Sequence, residues 1–313
     1  MIVTFTANPS VDQTSEVVEL IRGAVIRARQ TRVDAGGKGV NVTRALAANG
    51  QASVAVLPTG GVEGAQLLGL LEAESLLVRP VSINGAIRAN VTIVEPDGTT
   101  TKINEPGPVL AEDEIDRLTD VLLDAARGAD WAVLSGSLPP GAPRDLYAIL
   151  TSRLHSVGAR VAVDTDGDGL RAAFAARPDL IKPNQRELAQ ASAMTVLNPT
   201  DALAAIGKIR GEGARTVLAS LGPDGALLVD DFGACHATAP VHDPRSTVGA
   251  GDALLAGFLA AGGKGEQALA EAVAWGAAAV SLPGSRMPAP TDLDRPAVRT
   301  TQLEVPREHA HHA

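Results

Sequence analysis

Short apolar runs along this chain alternate with longer stretches whose apolar residues recur at helical spacing. The first pattern suits strands covered on both faces, and the second suits helices with one buried stripe. It predicts strands over 2–6, 53–57, 131–134, 160–163, 180–181, 216–219 and 226–229. It predicts helices over 39–48, 62–72, 111–126, 144–156, 185–191, 201–212, 250–261 and 266–281. Glu112, Asp113 and Glu114 crowd the first turn of one helix, where the dipole favours acids, and Gly128 and Gly158 follow the ends of two others. Strands alternating with helices imply an α/β fold with a mostly parallel sheet flanked by helices.

Two stretches break the rhythm. Near 12–35 and 86–104 the pattern gives strands with no helix between them, over 17–20, 31–34, 89–94 and 100–104. The turn Glu95-Pro96-Asp97-Gly98 joins the last two as a hairpin. These strands have no place in a parallel sheet and are assigned to a small separate sheet, a β-lid. No repeat or low-complexity linker divides the chain, so residues 1–313 are expected to form a single domain carrying that lid.

Composition narrows the function. Aromatics make up 2% of the chain and the formal net charge is −9. A nucleic-acid binder would combine exposed aromatics with an excess of cations, so that class is excluded. An anionic ligand must instead be held by a local cluster of cations and amides, against the overall field. Cys235 is the sole cysteine, so no intrachain disulfide can form and a reducing compartment is expected. The N-terminus runs into an apolar strand without the features of a signal peptide, and no apolar stretch reaches the ~18 residues of a membrane span. A cytoplasmic protein with no membrane partner is expected. The histidines within 308–313 are read as a frayed end rather than a metal site.

The most informative segment is Ser246-Thr247-Val248-Gly249-Ala250-Gly251-Asp252-Ala253, followed by an apolar helix. Small residues let a ligand approach the main chain, and the helix behind presents unpaired N–H groups and a positive dipole end. An acid in that first turn would repel a phosphate, unless Asp252 accepts a proton from an attacking hydroxyl while the amides hold the transferring phosphoryl charge. A helix start with a favourably placed Asp is the competing reading.

No P-loop and no dinucleotide fingerprint occurs. Instead, Asp34-Ala35-Gly36-Gly37-Lys38-Gly39-Val40-Asn41-Val42 opens the first helix with glycines, a cation and an amide side chain, a set that suits a polyhydroxylated or phosphorylated ligand. Arg88 and Asn90 alternate on one face of a lid strand and could close on it, although taken alone a solvated face explains them better. Val133-Leu134-Ser135-Gly136-Ser137 ends a strand in hydroxyls, where ligands of open α/β sheets sit. Asn184 and Glu187 fall three apart at a helix start in Lys182-Pro183-Asn184-Gln185-Arg186-Glu187. They could orient the water shell of a phosphate-bound Mg²⁺, or simply cap the helix. Ser220-Leu221-Gly222-Pro223-Asp224-Gly225 is a turn between strands.

Together these segments resemble the ribokinase-like sugar kinases, specifically the phosphofructokinase B branch. Asn8-Pro9-Ser10-Val11-Asp12 resembles its N-terminal sugar-binding signature, Gly36–Val42 its first signature and Thr247–Asp252 its second. The resemblance implies a three-layer α/β/α domain with a mostly parallel central sheet and a β-sheet lid, forming homodimers through the lids. It implies that Asp12, Gly37, Lys38, Asn41, Arg88, Asn90 and Ser137 hold the sugar phosphate; the need for local cations against the net charge adds Arg27 as a further candidate. Lys182, Asn184, Glu187, Ser220, Gly222, Gly225 and Thr247 would hold ATP. Mg²⁺ would be carried mainly by the ATP phosphates and water, with Asn184 and Glu187 nearby. Gly249, Ala250 and Gly251 would form the anion hole and Asp252 the base.

Lys38 in the Gly loop and Asn104-Glu105-Pro106-Gly107-Pro108 look most like the 1-phosphofructokinases. That implies ATP-dependent phosphorylation of D-fructose 1-phosphate at its 6-hydroxyl, giving fructose 1,6-bisphosphate. Kinases of fructose 6-phosphate or tagatose 6-phosphate are the rivals within the class. A non-catalytic sugar-phosphate sensor is the rival outside it, and such a protein would have no use for a base. Thr165-Asp166-Gly167-Asp168 departs from relatives that carry small hydroxyl residues there.

Overall fold

The first strand, β1 (Ile2–Thr6), is buried along its whole length, as its unbroken apolar and hydroxyl run requires of a central strand. It belongs to the first of two compact units, Met1–Arg160, in a computed structural model that describes residues 1–303. Two strands of a smaller sheet follow, β2 (Ser10–Glu16) and β3 (Gln30–Gly36), and then α1 (Lys38–Ala48). Next come β4 (Ser53–Thr59), α2 (Gly61–Ala73) and β5 (Val78–Ser82). The small sheet resumes with β6 (Arg88–Val94) and β7 (Thr100–Asn104), and α3 (Glu112–Ala126), β8 (Trp131–Ser135) and α4 (Leu146–Ser156) complete the unit.

Two sheets result. β8, β1, β4 and β5 lie side by side and all parallel, with Thr6 paired to Ser135 at the shared carboxyl end of β1 and β8. The second sheet has the order β3-β2-β6-β7. Its outer pairs are antiparallel and its central pair, β2 with β6, is parallel. This is the small separate sheet the sequence predicts, with one shift. Its first strand is the polar segment Ser10–Glu16 rather than the apolar run 17–20, because Ser10, Asp12 and Thr14 all point to one face and hide the usual apolar alternation.

In the second unit, from Val161 onward, β9 (Arg160–Asp164) leads into α5 (Gly167–Ala173), β10 (Leu180–Ile181), α6 (Gln185–Ser192) and α7 (Pro199–Gly211). The strands β11 (Thr216–Ser220), β12 (Ala226–Asp230) and β13 (Gly233–Thr238) precede α8 (Ala250–Ala260), α9 (Gly265–Val280) and β14 (Arg299–Leu303). β9, β10 and β11 are parallel, and β12, β13 and β14 add antiparallel rungs. α8 lies against α9 at small residues: a side chain on Gly257 would overlap the Trp275 ring. Asp230 fixes the start of α9 by accepting from Gly265 N at 3.0 Å. The histidine cluster of the tail lies outside the described residues. Among the described residues no helix is long and apolar enough to cross a membrane.

Candidate active site

In the first unit the Gly loop is built by close packing. A Cβ on Gly36 would overlap Ser10 Oγ and the Asp12 carboxylate, and one on Gly39 would overlap Thr6 Oγ1. Gly37 caps α1 at φ 117°, a conformation that favours glycine. Its carbonyl accepts the first helical bond, from Asn41 N at 2.9 Å. Lys38 is thereby the first residue of α1, where the dipole disfavours a cation unless an anion joins it. Asn41 is buried one turn on, with Arg44 Nη1 donating to its Oδ1 at 3.5 Å.

The parallel register of β2 and β6 sets Asp12 opposite Asn90 and Ser10 opposite Arg88. Asp12 Oδ1 accepts from Ser10 Oγ at 2.7 Å and from Asn90 Nδ2 at 2.9 Å. Arg88 donates from Nη2 to Asn8 O at 3.0 Å and from Nη1 to Glu105 O at 3.2 Å. Burial pushes its guanidinium below the ordinary arginine value, an effect the Asp12 carboxylate partly offsets. Arg88 Nε and Asn90 Oδ1 are buried without hydrogen-bond partners. Buried polar atoms are normally paired, so these two atoms mark where a polar ligand would complete the set. Ser137 is half-buried in the loop after β8, whose carbonyls at Ser135 and Gly136 accept from Tyr147 Oη. Arg27 is exposed between β2 and β3.

In the second unit Gly249, at φ 77°, turns the chain into α8, and Ala250, Gly251 and Asp252 form the first turn. Asp252 is 7% exposed there. Lys182, at the end of β10, is 4% exposed and pairs with the fully buried Asp164 at 3.2 Å. The same ammonium lies 3.3 Å from where a Cβ on Gly251 would stand, so glycine lets it approach the first turn of α8 without displacement. A cation and the amide end of a helix thus converge on one spot, an arrangement suited to phosphate.

Asn184 and Glu187 form a reciprocal cap. Asn184 Oδ1 accepts from Glu187 N at 2.9 Å, and Glu187 Oε2 accepts from Asn184 N at 2.8 Å. Ser220 ends β11 and bridges to Asn184. The following turn is closed by Leu221 N to Gly225 O at 2.8 Å, and a side chain on Gly225 would overlap Ala237 O. His236 Nε2 donates to Asp224 O at 2.6 Å and anchors this turn to β13. Gly222 is likewise at positive φ, and Thr247 precedes α8, its carbonyl accepting from Ala250 N at 3.4 Å.

The residues expected to bind sugar phosphate thus cluster in the first unit, and those expected to bind nucleotide cluster in the second. Four neighbours escaped the sequence reading. Asn8 and Ser10 lie within Asn8–Asp12 and Glu105 within Asn104–Pro108, and only the fold reveals their individual partners. Asp164 carried a signal that could have found it: an acid ending the otherwise apolar run Val161-Ala162-Val163.

Residues 6–292 match the pfkB family carbohydrate kinases. The 1-phosphofructokinase of Rhodobacter capsulatus is 38% identical over 97% of this chain and 98% of its own length. The ATP-dependent 6-phosphofructokinase isozyme 2 of Escherichia coli K12 is 35% identical over 91% of this chain and 94% of its own. Phosphofructokinase-2 from Escherichia coli, solved in complex with potassium, superposes with a TM-score of 0.87 at 35% identity, covering 93% of this chain and 96% of that one. The chain belongs to the pfkB family: it has the ribokinase-like α/β fold and is a sugar-phosphate kinase. Family membership implies ATP as the phosphate donor.

Proposed function

We propose that the protein transfers the terminal phosphoryl group of ATP to the 6-hydroxyl of D-fructose 1-phosphate, giving fructose 1,6-bisphosphate. The observation that carries this reading is Asp252, a nearly buried carboxylate in the first turn of α8, behind a glycine turn that the Lys182 ammonium approaches. Asp252 takes the proton of the accepting hydroxyl as the new O–P bond forms. The N–H groups of Gly249, Ala250 and Gly251, with Lys182, hold the charge of the transferring group.

ATP fits the second unit because Gly222, at positive φ with open space where a side chain would stand, follows Ser220 at the end of β11, and Thr247 leads into the amide end of α8. Asn184 and Glu187, at the start of α6, would serve the water shell of a nucleotide-borne Mg²⁺, which would supply neutralisation of phosphate charge. Asp12, Asn41, Asn90 and Ser137 hydrogen-bond the sugar, with Gly37, packed against Thr6, setting the turn that starts α1. Lys38 and Arg88 grip its phosphate. Dimers form through the apolar face of the lid sheet.

The choice of fructose 1-phosphate is supported by 1-phosphofructokinase relatives from several organisms at 33–38% identity. A second reading, fructose 6-phosphate, is favoured by the Escherichia coli isozyme at similar identity. The test is a purified-enzyme assay over fructose 1-phosphate, fructose 6-phosphate, tagatose 6-phosphate and fructose, with the product identified by NMR. Highest kcat/KM on fructose 1-phosphate supports the first reading. A preference for fructose 6-phosphate replaces it with the second.

A further inference from the structure

Arg88 is held by backbone carbonyls rather than by an acid, and what holds those carbonyls in place is itself unusual. Its two terminal nitrogens donate to Asn8 O and Glu105 O. Asn8 reaches back to the same turn, donating from Nδ2 to Pro106 O at 3.0 Å. Glu105 closes the ring from the other side: its Oε2 accepts from Ala89 N at 2.9 Å. β7 ends at Asn104, opposite Asn90, so the next rung of the β6–β7 ladder is made by a side-chain carboxylate instead of a carbonyl. One residue therefore engages both Arg88, through its carbonyl, and the peptide that follows Arg88, through its carboxylate.

The turn has little freedom to drift. Glu105 precedes a proline, which keeps it out of the helical region, and Pro106 has a fixed φ. Gly107 sits at φ 90°, and a side chain there would overlap Asn8 Oδ1. Pro108 in turn packs 2.9 Å from where a Cβ on Gly85 would stand. A brace this rigid is more than a lid hinge needs, since α3 already ties that segment down: Glu114 accepts from both Asn84 N and Ala111 N. What the Asn8–Glu105 ring adds is the position of one guanidinium.

We propose that Asn8 and the Glu105–Pro106 turn form a lock that fixes the Arg88 guanidinium and thereby sets the enzyme's selectivity for a phosphorylated over a plain sugar. This rests on the reading of Arg88 as a phosphate grip. Asn8 and Glu105 are positioning residues and do not touch the substrate phosphate. A guanidinium held at two points presents its remaining N–H groups in one orientation, so little rotamer freedom is lost when phosphate binds. Released, it would still attract the dianion but would spend its binding free energy on being ordered.

The experiment compares Glu105→Ala, Glu105→Gln, Asn8→Ala and Arg88→Ala. For each, kcat and KM are measured with the best sugar phosphate of the panel, with plain fructose and with ATP, alongside Tm. Glu105→Ala should raise KM for the sugar phosphate about tenfold, with kcat and KM for ATP within about twofold, because an interaction made equally in ground and transition states is weakened. The preference ratio over plain fructose should fall by about the same factor. Asn8→Ala should act in the same direction, and Glu105→Gln, which keeps an acceptor for Ala89 N, should recover most of the loss. Glu105 is exposed, so its variants fold even if the buried Asn8→Ala does not. If Arg88→Ala collapses the ratio while Glu105→Ala leaves it unchanged, the lock is overturned and the turn is only a brace. If Arg88→Ala also leaves the ratio unchanged, the reading of Arg88 fails and the lock fails with it.

Discussion

The ammonium of Lys182 lies 3.2 Å from the carboxylate of Asp164, and both side chains are buried at the carboxyl ends of neighbouring parallel strands. The pair delivers a compensated positive charge to the first turn of α8, beside Gly251. Removing one partner strands a buried charge, at a cost of roughly 3–5 kcal/mol, whereas replacing both with apolar residues is often neutral. Asp164→Ala is therefore expected to lower unfolding free energy by several kcal/mol in urea titrations. The double variant Lys182→Met, Asp164→Leu should recover most of that stability and none of the activity. Stability and activity recovering together would refute a catalytic role for the pair.

The cap at α6 separates two roles of one side chain. Glu187→Gln keeps an oxygen to accept from Asn184 N, and Gln serves in such caps, so Tm should shift by no more than a few degrees. The loss of charge should nevertheless raise the Mg²⁺ concentration needed for half-maximal rate by about tenfold, if Glu187 orients the metal's water shell. An unchanged Mg²⁺ dependence would leave Glu187 with the cap alone.

Lys38→Ala should cost about tenfold in kcat/KM for the sugar phosphate and little for plain fructose, the expected loss of one charged hydrogen bond to phosphate. Equal losses on both substrates would show that Lys38 serves the transferring phosphoryl group instead.

How much of this was legible in the sequence follows from which forces act locally. Strands β1, β8 and β9 announce themselves because both faces are covered, and their apolar runs have no other explanation. β5, β13 and β14 were missed. Their sequences, such as Val78-Arg79-Pro80-Val81-Ser82, carry the polar residues and proline of partly exposed strands, so the pattern is diluted. α5 was missed because Gly167 and Gly169 lie in its first turn and lower its helix propensity. In the site, glycine loops were readable because glycine has few uses besides positive φ and close approach. Asn8 and Glu105 are not, because their partners lie far away in sequence and only the fold brings them together. Asp164 is marked as an acid ending an apolar strand, but its pairing with Lys182 needs the register of β9 and β10.

The lid makes a prediction about assembly. Val91 and Ile103 are register partners on the face opposite Asp12 and Asn90, and Ile103 is 58% exposed. A small sheet that shows water an apolar face and two edges calls for a partner. Sedimentation should give a dimer at micromolar concentration, and Ile103→Asp should shift it to monomer. A wild-type monomer with full activity would refute dimerisation through the lid.

If Asp252 is the base, transfer depends on its carboxylate oxygen. Asp252→Asn preserves the size of the side chain and its place in the first turn of α8 but removes the basic oxygen. The decisive measurement is kcat of that variant together with its Kd for ATP. The variant should lose at least ~10²-fold in kcat, with ATP affinity within about twofold of wild type. A variant that turns over at near-normal rate would contradict the role of Asp252 as base.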